Sequence, residues 1–101
     1  MEKIKVLRKK VREPWELVEI DNTLEALQAE VGGYIETVTV TCDACIVVNE
    51  EGMLNDLPFN SRLFGLQLFG TVLLVGVDGD EFCDLPNPEL FVKKGERINE
   101  G

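Results

Sequence analysis

A chain of 101 residues, 45% hydrophobic and 29% charged, has room for one core and no second domain. No apolar run approaches the roughly 18 residues of a membrane-spanning helix, and the opening MEKIKVLRKK has no apolar block behind its charges, so the protein reads as cytoplasmic. The net charge of -9 hides an asymmetry: six of the ten basic residues lie in the first twelve positions, whereas from Glu13 to Val92 Arg62 alone stands against sixteen acidic residues, a formal charge of -15 that disfavours direct nucleic-acid binding.

Ile4, Val6, Leu7 and Val11 alternate loosely with basic residues, and Trp15 to Ile20 follows Glu13-Pro14, predicting a β-hairpin with its turn at Arg12 to Pro14. The apolar parity slips between Val6 and Leu7, which a bulge or an edge position would accommodate, and lysines on an edge discourage edge-to-edge pairing. Asn22 offers an N-cap with Glu25 at the third helical position, a capping-box spacing. Leu24, Leu27 and Val31 then form one apolar stripe, and Gly32-Gly33 ends the helix. From Tyr34 to Thr41 the period changes to two, with Tyr34, Val38 and Val40 on one face of a half-buried strand.

Ala44 to Val48 is a continuous apolar run that suits a central strand covered on both faces. Asn49-Glu50-Glu51-Gly52 is turn chemistry, after which Met53-Leu54 is expected to pair back briefly. Ser61 to Phe69 fits a helical turn and a loop equally well, and Gly70 to Val77 reads as a strand closed by Asp78-Gly79-Asp80. Asn87-Pro88-Glu89 predicts an N-cap, a first-turn proline and an acidic first turn for a short helix carrying Leu90 and Phe91 and stopped by Gly95. The expected fold class is α+β: a mainly antiparallel β-sheet, a short helix after the N-terminal hairpin and a short C-terminal helix. It forms a single domain over residues 1–94, with a flexible tail over 95–101.

Gly32-Gly33-Tyr34-Ile35-Glu36, Asn49-Glu50-Glu51-Gly52 and Leu57-Pro58-x-Asn60, following a hairpin and a capped helix, resemble an uncharacterised family of about one hundred residues found on bacterial phages, plasmids and other mobile elements. The resemblance runs from about Ile4 to Leu85. It rests on turns and strand edges and implies no catalytic residues. It implies a setting in which short acidic proteins act as accessory factors, including anti-CRISPR-type inhibitors of host defence. The expected partner is therefore a host defence protein such as a CRISPR effector, whose positively charged nucleic-acid channel an acidic surface would block. A zinc-stabilised adaptor and a small-ligand-sequestering counter-defence protein are the alternatives.

Cys42-Asp43-Ala44-Cys45 places a C-x-x-C between two strands of a chain without histidine. On an extended strand the two thiols would diverge, so they converge only if Thr41 to Ala44 forms a turn. A structural zinc ion would then take Cys42, Cys45 and Cys83, with Asp43, Asp80 or Asp84 as fourth ligand. The alternative is that Cys45 packs in the central strand while Cys42 and Cys83 are small semi-buried residues.

The carboxylates of Glu50, Glu51, Asp56, Asp78, Asp80 and Glu81 sit in predicted turns, where solvated acids are ordinary. Catalysis would need them to converge with a nucleophile or a further metal ligand, so a non-enzymatic role is expected. These six are the candidate partner-binding residues. An apolar patch around Phe59, Phe64 and Phe69 is the alternative contact surface if binding does not depend on charge.

Overall fold

The computed structural model describes residues 2–63 and 65–91. Strand β1 (Lys3–Lys9) pairs with β2 (Trp15–Asp21) through an unbroken register from Lys3↔Asp21 to Lys9↔Trp15. The connecting turn is closed by the Glu13 N–H on the Lys10 carbonyl at 3.1 Å, with Arg12 at φ +64°. Helix α1 (Leu24–Val31), β3 (Ile35–Thr41) and β4 (Ala44–Asn49) follow, then β5 (Phe59–Leu63), β6 (Leu66–Phe69), β7 (Val72–Asp78) and β8 (Glu81–Cys83). The main sheet runs β2-β1-β7-β4-β3, with β8 pairing beside the far half of β7, and all its pairings are antiparallel. β5 and β6 form a separate hairpin.

The alternation of side chains along the central strands divides the core between the two faces of the sheet. Ala44, Ile46 and Val48 of β4 join Val72 and Leu74 of β7 and Leu7 of β1 on one face, under Leu68 of the hairpin. Cys45, Val47, Leu73, Val75, Ile4 and Val6 meet Leu27 and Val31 of the helix on the other. Every residue of β4 is buried, as the unbroken apolar run predicts.

The same two-sided cover explains the parity slip in β1. Val6 and Leu7 point to opposite faces and both are buried, so no bulge is needed, and β1 lies inside the sheet between β2 and β7. Two of its four cations are paired: Lys3 Nζ meets Asp21 at 2.9 Å, and Arg8 lies 3.0 Å from both Glu16 and Glu30, tying β2 and α1 to β1. Burial pulls the Arg8 guanidinium down, but its hydrogen bonds to Glu16 and Glu30 outweigh this and hold it above its ordinary value.

Several local expectations are corrected. The N-cap is Thr23, whose Oγ1 accepts the Ala26 N–H at 3.1 Å, so Glu25 is not at the capping-box position; Asn22 instead donates to the Phe82 carbonyl at 3.0 Å. Met53 and Leu54 form no strand but lie exposed in a turn. Ser61 to Phe69 is neither helix nor loop: it contributes most of the β5–β6 hairpin, turned at Gly65 with φ +79°. Of the expected C-terminal helix the described residues show a 3-10 turn over Pro88–Leu90, at whose start Asn87 takes φ +49° and makes no side-chain cap. Phe64, Gly95 and the expected tail over 95–101 lie outside the described residues.

Candidate functional site

Strand β4 ends where the chain leaves the sheet at Asn49, and the turn from Glu50 to Asp56 forms a protruding loop. Asn49 is 7% exposed, and both ends of its amide are used. Nδ2 donates to the Val31 carbonyl at 3.1 Å, at the end of α1, and Oδ1 accepts the Glu51 N–H at 2.8 Å. A β-carbon on Gly33 would stand 2.8 Å from that Nδ2, so a hydrogen is needed there. Gly32 supplies the left-handed residue that ends the helix, at φ +80°, and its N–H returns to the Gln28 carbonyl. The Gly-Gly-Tyr and Asn-Glu-Glu-Gly landmarks are thus two halves of one joint.

The joint leaves a depression on each side of the loop. Against the helix lies an open groove of about 570 Å³ lined by Glu25, Gln28, Gly33, Tyr34, Glu51 and Asn55, among others. It sits at the carbonyl end of α1, where the helix carries no basic residue, and Tyr34 is 71% exposed beside it. Carboxylates, amides, a phenol and the negative end of a helix together favour cations and hydrogen-bond donors. Against the hairpin lies a tighter cleft of about 200 Å³, with Val38, Val48, Leu66 and Leu68 inside and Glu36 and Glu50 among its lining residues.

The six candidate partner-binding carboxylates do not form one surface. Glu50, Glu51 and Asp56 belong to the loop after β4, whereas Asp78, Asp80 and Glu81 cluster around the β7–β8 turn. Because Ala44 pairs with Gly76, that turn lies at the opposite end of β4, about 17 Å away for five steps of a strand. All six are exposed, and none is ion-paired among the described residues. Sequence reasoning placed the acids but missed the two depressions, since these depend on which segments the sheet brings beside the loop.

The cysteines are also kept apart. The expected turn forms, with the Asp43 N–H on Thr41 Oγ1 at 3.3 Å, and leaves Cys42 exposed. Cys45 is buried on the helix side of the sheet. Cys83 pairs with Gly76, which alternates with Val75 and Val77 and therefore faces the hairpin side. Asp84 is taken up by the Lys5 N–H at 2.8 Å, and Asp43 by the Thr41 hydroxyl at 2.9 Å.

Among the described residues no group of three or more His, Cys, Asp or Glu is disposed to hold a metal ion, so the donor set does not fit zinc in this arrangement. Burial pushes the Cys45 thiol up, and burial followed by the charges of Asp78, Asp84 and Asp43 does the same to Cys83; both shifts oppose the thiolate a metal requires.

Of the apolar patch, Phe59 and Phe69 stack edge to face with centroids 5.8 Å apart. Phe59 remains 53% exposed, and Phe64 is not described.

The fold and this joint define an antiparallel α+β sheet domain with a helix on one face, a hairpin on the other and an acidic loop at one end. Residues 4–95 match the family described as a domain of unknown function (DUF3846), and the chain belongs to that family. No curated protein and no solved structure matches the chain.

Proposed function

We propose that this protein is a non-enzymatic binding factor of a mobile element, an anti-CRISPR-type inhibitor. Its acidic loop docks on the basic nucleic-acid channel of a host defence effector nuclease and blocks nucleic-acid loading. The observation that carries this reading is the division of charge in the fold. The described ion pairs of β1 are internal, Lys3 with Asp21 and Arg8 with Glu16 and Glu30, while Glu50, Glu51 and Asp56 are exposed on the loop with no ion pair among the described residues. An exposed acidic projection beside a groove suited to cations is complementary to the lysines and arginines of a nucleic-acid channel.

The test is capture of effector nucleases from host lysate on the immobilised protein, with and without competing nucleic acid. The reading requires a captured effector that is released by nucleic acid and by added salt. An effector that stays bound while carrying its nucleic acid overturns it. The groove beside Tyr34 favours a second reading, sequestration of a small cationic ligand, which would appear as a small molecule co-purifying with the protein.

A further inference from the structure

We propose that the open edge of β3 accepts an extended segment of a partner protein as an added antiparallel strand, and that this segment carries an apolar residue followed two positions later by a basic one. The inference rests on the protein-binding reading above and deepens it. Among the described residues β3 ends the strand order, with β4 as its one neighbour in the sheet. It is seven residues long and carries no lysine or proline, the residues that commonly protect such an edge, and its register is regular from Ile35 to Thr39. The Glu50 N–H donates to the Tyr34 carbonyl at 2.8 Å, which sets the phase of the ladder. The backbone groups of Glu36 and Val38 therefore turn toward β4, and those of Ile35, Thr37 and Thr39 turn outward.

An added strand would bond to Ile35, Thr37 and Thr39. Its intervening side chains would stand directly beside Glu36 and Val38, in close pairs with α-carbons about 4.5 Å apart. Those two residues line the 200 Å³ cleft between the sheet and β6. The side chain opposite Val38 enters a pocket walled by Val48, Leu66 and Leu68, and so is apolar. Two residues further along the incoming strand, the side chain opposite Glu36 meets that carboxylate with Glu50 close by, and so is a lysine or arginine. Among the described residues the lining contains no basic residue to oppose it.

The test titrates the full-length protein with a nine-residue threonine-based peptide that carries a valine and, two positions later, a lysine on the same strand face, an acidic counterpart with glutamate for lysine, and the lysine peptide N-methylated at alternate residues. Backbone amide NMR reads the result. Saturable binding of the lysine peptide is expected, with shifts and exchange protection at Ile35, Thr37 and Thr39 and at least tenfold weaker binding of the other two peptides. Thr37→Pro, which removes one outward N–H from an edge strand, should abolish binding while the remaining spectrum stays folded. Glu36→Lys should reverse the preference toward the acidic peptide. Equal binding of the N-methylated peptide, shifts centred away from β3, or no binding overturns the inference. If the Thr37→Pro variant still captures an effector in a salt-dependent way, the edge assignment fails and the proposed function stands; if the unaltered protein captures none, the proposed function fails.

Discussion

Asn49 and Val31, eighteen residues apart in the chain, are joined by a hydrogen bond of 3.1 Å from the buried amide of one to the last helical carbonyl of the other. A helix end leaves carbonyls without partners, so this bond fastens α1 to the exit of β4 and supports the loop that carries Glu50 and Glu51.

Removing the amide in Asn49→Ala should cost about 1–3 kcal/mol, because it leaves the Val31 carbonyl and the Glu51 N–H without their partner. Gly33→Ala should also destabilise, since its new methyl group would stand 2.8 Å from the same nitrogen. Urea unfolding of both single variants and the double variant should give a double-variant loss smaller than the sum, because the clash disappears with the amide.

Gly76→Ala tests a different close approach. A β-carbon at this position would run into the backbone of Asp84, where the chain leaves β8 and crosses over β7. Neither backbone can yield without breaking the sheet, so a loss of at least about 1–3 kcal/mol is expected in thermal or chemical unfolding. An unchanged midpoint would show that β8 does not lie where described.

The two-sided burial of β4 was legible in its apolar run, and the helix in the spacing of Leu27 and Val31. The hairpin formed by β5 and β6 was not, because Phe59 to Phe69 mixes exposed and buried positions without a clean period, and its cover comes from the sheet rather than from its own pattern. Asn60 shows the same limit. As part of a turn-like landmark it gave no sign that its amide would hold the Lys9 and Gly70 carbonyls, each at 2.8 Å, and pin the hairpin to the end of β1. The acidic residues were visible, but their separation to opposite ends of β4 follows from strand register alone.

The thiols should react in a fixed order with an aromatic disulfide reagent. Exposed Cys42 should react quickly, half-buried Cys83 slowly, and Cys45 only on unfolding. Both Cys45 and Cys83 are held above the ordinary cysteine value of 9.0, so the unfolded chain loses these protons first. Their contribution to stability is complete below pH 9.0 and falls as pH rises toward their folded values. Cys45→Ala and Cys83→Ser should each flatten the alkaline decline measured by denaturant unfolding.

The two acidic ends should differ in function. Replacing Glu50 and Glu51 with glutamine and Asp56 with asparagine should weaken partner binding roughly tenfold or more, mainly through the association rate. The matching amide replacements at Asp78, Asp80 and Glu81 should have a smaller effect, since the two depressions adjoin the loop and not the β7–β8 turn. Surface plasmon resonance on a captured effector resolves the two variants.

The most direct measurement is guide-RNA loading by a purified CRISPR effector captured by this protein, followed by gel shift as the protein is added before the RNA. The account predicts that loading is blocked at near-stoichiometric protein, that the block weakens as salt is raised, and that the Glu50, Glu51 and Asp56 amide variant loses it. Full loading in the presence of bound protein, or an equal block by that variant, would contradict it.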